Sequence, residues 1–298
     1  MKKIFSRTLV SVTALLSLVA APAFAAPPRD ADPALWVMRD ADTTVYLFGT
    51  VHLLPAGLTW FDDAVAKAFD ASDELQMEIL PVEDPASLGP LMMKFAIDPK
   101  GRTMAQRLSS DDHAAYRNVL TNIGLPADQL EPLEPWFVTL QASGLLYMKA
   151  GYDPKLGAEE ILTQAAKKAG KKLTAFETPE EQFSILDSTP EAEQLAGIRD
   201  LTYRSDQQMA LLNKVVDHWA QGKAEEAGQL LVEEMKSMPE TVRLVLTERN
   251  ARWAKQLQAR MAQPGTVFVA VGALHLAGAD SVQHFLTRAG FKIERLSY

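Results

Sequence analysis

The sequence predicts one α/β (or α+β) domain, with a central mixed β-sheet built from both ends of the chain and a large helical insertion over about residues 85–262. Three observations point there. Apolar, β-prone runs sit near both termini, at Leu35 to Phe48 and at Thr266 to Leu296. The stretch between them is mostly helical in composition and is divided by capping and stop signals. Two strands far apart in the chain run into the same short signature, Gly-x-x-His-Leu. Strands at the ends with helices between them pack most simply as sheet and helix layers around one core.

The elements follow in order. Met1-Lys2-Lys3 and Arg7 form a positive lead, Leu9 to Ala20 an apolar run, and Ala23-Phe24-Ala25 an A-x-A cleavage site. Residues 1–25 therefore read as a cleavable secretory signal, with the mature chain beginning at Ala26 in the periplasm or outside the cell. The apolar run is too short for the roughly 20 residues a spanning helix needs, so no membrane span is expected. Leu35 to Arg39 and Thr43 to Phe48 flank Asp40-Ala41-Asp42 as a β-hairpin. Phe61 to Phe69 is a short helix. Glu74 to Leu80 alternates, with Leu75, Met77 and Ile79 on one face and Glu74, Gln76 and Glu78 on the other.

The helical region opens after Pro85. Asp111 is placed as the cap of a helix stopped near Gly124, and Pro126 and Pro135 start others. Asp153-Pro154 opens a helix that Gly170 ends. Lys172 to Phe176 is a strand, and Thr178 with Glu181 makes a capping box. Residues 188–262 are helical, broken at Gly222 and Pro239. Thr266 to Val271, Asp280 to Ala289 and Phe291 to Leu296 close the chain as strand, helix and strand.

Composition excludes several chemistries. The chain of 298 residues has no cysteine, which removes thiol catalysis, zinc–thiolate sites and disulfides. Net charge is −8, and the first 25 residues carry three positive charges (Lys2, Lys3, Arg7), so the remainder stands at −11. A surface of that sign does not draw nucleic acid. There is no His-Glu-x-x-His helix and no Gly-x-Ser-x-Gly elbow, so neither an ordinary zincin nor a serine hydrolase of that type is expected.

The chemistry lies in the repeated signature. Val45 to Leu53 (VYLFGTVHL) aligns with Phe268 to Leu276 (FVAVGALHL). A glycine at each strand end permits a sharp turn that aims the histidine over the sheet edge. If the strands are parallel neighbours, His52 and His275 meet beyond their carboxyl ends, where open α/β sheets bind ligands. Glu78 and Glu177 end their own strands similarly; Glu74 lies too early on its strand to rank with them. Two imidazoles and a carboxylate suit a divalent metal (Mn, Co, Zn or Fe), and a second carboxylate could serve as base. The remaining histidines, His113, His218 and His284, read as surface or packing residues.

The chain resembles the TraB/GumN family, also called TraB/PrgY/GumN, which includes the animal Tiki proteins. The motifs that carry the resemblance are Leu47 to His52, Glu78, Leu130 to Trp136, Leu156 to Phe183, Glu248-Arg249-Asn250 with Trp253-Ala254, and Val271 to Gly278. It implies a metal-dependent hydrolase fold, similar more distantly to the erythromycin-esterase and ChaN-like folds. The two histidines and Glu78 would form the metal site, and Glu78 or Glu177 would move the proton. It also makes Arg249 a candidate for holding a substrate carboxylate or stabilising an oxyanion. The expected function is an exported metal-dependent peptidase acting on a peptide or protein. The alternative is a binding protein that holds a peptide, metal or haem in the same pocket without turnover.

Overall fold

The computed structural model describes residues 28–297 apart from 83 and 85–87, so the signal expected over 1–25 lies outside the described residues. It is mixed α/β, with a six-stranded central sheet and a helical region. The sheet strands are β1 (Leu35–Arg39), β2 (Thr43–Thr50), β3 (Glu74–Met77), β4 (Lys172–Ala175), β5 (Gly265–Gly272) and β6 (Ile293–Arg295). Across the sheet they run β6-β1-β2-β5-β3-β4. β1 is antiparallel to β2 and to β6, whereas β2, β5, β3 and β4 are mutually parallel through their neighbours. Four carboxyl ends therefore reach one edge.

The parallel centre reads as nearly continuous apolar sequence because both faces are covered. On one face Phe48, Leu75, Phe268 and Ala270 pack on helix α1 (Asp63–Asp70), on α2 (Ala158–Ala169) and on Trp219 of α3 (Ser205–Ala220). On the other, Val45, Leu47, Val267, Val269 and Val271 meet Trp253, Ala254 and Leu257 of α4 (Glu248–Arg260), together with Val282 and Leu286. The helical region has its own core, with Met104, Tyr116, Leu120, Val138, Ile198 and Leu201 fully enclosed. Beside that core a buried ionic cluster ties loop to helix: Arg107 lies 2.6 Å from Asp98 and 2.8 Å from Glu134.

Several boundaries depart from the sequence expectation. β3 stops at Met77 instead of continuing to Leu80, leaving Glu78 just beyond the strand. Glu74 and Gln76, on the polar face of β3, are buried, and Thr174 on the neighbouring strand donates to Glu74 at 2.5 Å. Ser109, not Asp111, caps the helix Ser110–Ile123, accepting from the Asp112 N–H. Asp153 caps only a short 3₁₀ turn, Pro154–Leu156; α2 starts afresh after Gly157. The box of Thr178 and Glu181 is present, and Gly124 and Gly170 end their helices in the left-handed conformation.

Candidate active site

β2 and β5 are adjacent and parallel, but staggered by one residue relative to the sequence match: Gly49 pairs with Val271 and Thr50 with Gly272. A side chain on Gly49 would come within 3.0 Å of the Ala273 backbone, so this glycine lets the two turns pack together. Beyond the strands the chain delivers His52 from a loop and His275 from a 3₁₀ turn, Ala273–Leu276. Both reach the edge to which β3 brings Glu78.

Gly272 marks the convergence. A Cβ there would stand 3.2 Å from Glu78 Oε1, 3.7 Å from His275 Cδ2 and 4.0 Å from His52 Nε2.

Each imidazole is oriented from behind. His52 Nδ1 lies 2.7 Å from Glu159 Oε1, an oxygen that also accepts from the Thr50 hydroxyl. This carboxylate raises the His52 ring above its ordinary range, although the ring is 68 % exposed and solvent screens part of the pull. His275 is buried between Trp253, whose ring centroid is 4.4 Å away, and Asn250. The Asn250 amide donates to the Asp280 carbonyl, which turns its Oδ1 toward His275 Nδ1 at 2.5 Å. Nδ1 therefore carries the proton, and Nε2 accepts from Arg249 at 3.2 Å. Burial holds His275 down, to about 4, so it is neutral at physiological pH.

Glu78 Oε1 accepts from the Gly272 N–H at 2.8 Å; Oε2 accepts from Arg249 at 2.7 Å and from Gln182 at 3.2 Å. Burial alone would raise its pKa, but nearby His275, Arg249 and His52 and the backbone N–H outweigh burial and hold it down, to about 2. Because His275 is neutral near pH 7, Arg249 is the constant cation in that balance.

Glu177 sits behind Arg249 rather than beside the histidines. Its oxygens accept from Arg249 Nε at 3.0 Å, Arg252 at 2.9 Å and the Trp253 indole at 3.1 Å. Arg249 is buried; its Nε–H is shared by the two Glu177 oxygens, Nη1 donates to the Val245 carbonyl and His275, and Nη2 donates to Glu78 and lies 3.0 Å from Glu177. In this arrangement the guanidinium is engaged chiefly within the protein. A π-helical turn, Arg243–Thr247, leads into α4, whose Arg249, Asn250, Trp253, Ala254 and Leu257 form its buried stripe.

A cleft of about 330 Å³ opens beside these groups, with His52, Glu78 and Glu159 on its wall. Of the other histidines, His113 pairs with Glu131 at 2.6 Å in the helical region.

A profile of the TraB/PrgY/gumN family matches residues 34–295. The chain belongs to that family. It is similar to the uncharacterized protein YbaP of Escherichia coli (strain K12), 22 % identical over 272 residues that cover 85 % of this chain and 92 % of YbaP. YbaP of Shigella flexneri matches to the same extent. An uncharacterized protein of Treponema pallidum (strain Nichols) is 22 % identical over 268 residues, covering 83 % of this chain and 78 % of its own.

Reasoning from the sequence missed Glu159, Asn250 and Gln182. Glu159 sits in the first turn of α2, where an acid is ordinarily explained by the helix dipole. Its signal lay one step back, in Gly157: a Cβ there would stand 2.1 Å from the His52 carbonyl oxygen, so only glycine lets α2 approach the histidine loop.

Proposed function

We propose that this family member is an exported metal-dependent hydrolase, with peptidase activity the form that the family resemblance implies. One observation carries the reading: two imidazoles, each fixed from behind, and a carboxylate kept ionised converge on the face of Gly272 beside a cleft. That donor set fits a divalent cation. His52 and His275 have the rear hydrogen bonds that orient metal-binding imidazoles and raise their basicity. Among the described residues no three such groups already stand at coordinating spacing, and Arg249 fills the cationic place between Glu78 and His275.

When bound, a divalent cation supplies Lewis-acid polarisation of a carbonyl and acidifies water at neutral pH. The chain's own residues would do the rest. His52, His275 and Glu78 would hold the cation, Glu159 and Asn250 keeping the two Nδ1–H groups turned away from it. Arg249 would balance negative charge that develops next to Glu78, and Glu177, engaged by three donor side chains, would keep Arg249 in place. A base role for Glu78 or Glu177 would require one of them to give up these donors.

That last point favours a second reading, binding of a peptide, metal or haem without turnover. The test is metal analysis of the purified protein with a peptide-library digest, run with and without chelator. Chelator-sensitive cleavage, lost in His52→Ala and His275→Ala, is the expected result; full metal occupancy in both variants would remove the proposed ligands. For export, the expected N-terminus of protein recovered from the periplasm or medium is Ala26.

A further inference from the structure

We propose that the cleft beside His52 seats an uncharged apolar group of a ligand and, in the metal-free protein, disfavours a carboxylate. The seat follows from the cleft alone; that the seated molecule is then cleaved rests on the hydrolase reading above.

The cleft's volume, about 330 Å³, is near the lower end of ligand sites, roughly 300–1,000 Å³, and suits one or two residues rather than a long segment. Its apolar wall is Met77, Ile79, Leu80, Pro81, Val82 and Leu88. Leu80, on this wall, is 44 % exposed. Apolar surface left at the rim of a polar site is what a binding surface presents.

The charges decide what else can enter. Glu78, Glu159 and Glu160 share the lining with His52, and no lysine or arginine lies among the described lining residues. His52 is already paired with Glu159, and Arg249, behind Glu78, is hydrogen-bonded to Glu78, Glu177, His275 and the Val245 carbonyl. Without a metal, a ligand carboxylate would meet three acids and, among the described lining residues, a single basic side chain, the ion-paired His52. An apolar group meets no such opposition, and Glu160 is exposed, accepting among the described residues from Gln164 at 2.6 Å.

The experiment uses the whole mature protein and three blocked probes: acetyl-Leu-Ala-amide, acetyl-Glu-Ala-amide and acetyl-Ala-Leu with a free carboxylate. Binding is measured by ligand-observed NMR and calorimetry without added metal. Cleavage is followed separately, with manganese, cobalt or zinc, on longer peptides carrying the same residues. The leucine amide should bind at least about tenfold more tightly than either acidic probe. Glu160→Lys, a surface change outside the proposed metal set, should narrow that gap by about tenfold. Equal binding of all three probes, no binding of any, or a gap indifferent to Glu160→Lys would overturn the seat. Leucine-selective binding with no cleavage under any metal would keep the seat and sink the hydrolase reading instead.

Discussion

Glu78 and Glu177 both follow a parallel strand and both contact Arg249, yet their surroundings assign them different work. Glu78 borders the cleft, whereas Glu177 is enclosed by Arg249, Arg252 and Trp253. Glu177→Gln leaves a buried guanidinium short of its counter-charge and should cost about 3 kcal/mol or more in urea unfolding, with metal affinity changed less. Glu78→Gln also takes a counter-charge from Arg249 and should lose stability as well, but with it most of the metal affinity. Equal losses of metal affinity in the two variants would erase the distinction. Glu159→Gln keeps the shape behind His52 but not the charge, and should weaken metal binding about 10- to 100-fold, read by competition with a chelating dye. Of these residues the histidines were legible in the sequence because their motif occurs twice. Glu159 and Asn250 were not, because an acid in a first helical turn and an asparagine beside a charged pair have ordinary local explanations. Only the fold brings them behind an imidazole.

At the scale of elements, the hairpin, the capping box at Thr178 and the glycine-terminated helices follow from local backbone chemistry, and that is why the sequence announces them. The early end of β3 and the one-residue stagger of β2 on β5 depend on partners more than a hundred positions away. The approach of α2 to the His52 loop belongs to the same class, and two glycines test it. Gly157→Ala drives a methyl into the His52 carbonyl and should cost about 1–3 kcal/mol or more while displacing His52 and Glu159. Gly144, within the helix Pro135–Lys149, has open space around its missing Cβ; Gly144→Ala should stabilise by about 0.5–1 kcal/mol. Thermal melts of both variants with metal titrations check the pair: destabilisation by both would mean that the close approach at Gly157 is not what matters.

For the whole molecule, the helical region is secured by charges as well as by its apolar core. Burial would raise the Asp98 carboxyl, but hydrogen bonds from Arg102, Arg107 and two backbone N–H groups hold it well below the usual carboxylate range. A depressed folded pKa stabilises the native state above the unfolded value, near ~3.9, and that contribution is lost as pH falls below it. The native chain should therefore lose stability steeply between about pH 4 and pH 2, and Asp98→Asn should be less stable at pH 7 and show a flatter acid limb. Urea midpoints across that range measure it; parallel acid limbs would show that Asp98 contributes nothing to them. The sequence made the two-ended sheet readable through its apolar runs. It did not reveal which strand lies at the centre, since β5 could have joined an edge with the same pattern.

That central place has a consequence in time. β5, from Gly265 to Gly272, is inserted between β2 and β3, both made some two hundred residues earlier. Until the ribosome has delivered it, β2 and β3 have no common neighbour, His275 is absent and Gly272 cannot bring the other groups together. Nearly the whole polypeptide must be synthesised before the last long-range pairing closes, a topology that folds slowly. A nascent chain would thus lack the site by construction, and a truncation before β5 should yield a stalled, partly sheeted intermediate rather than a smaller folded domain.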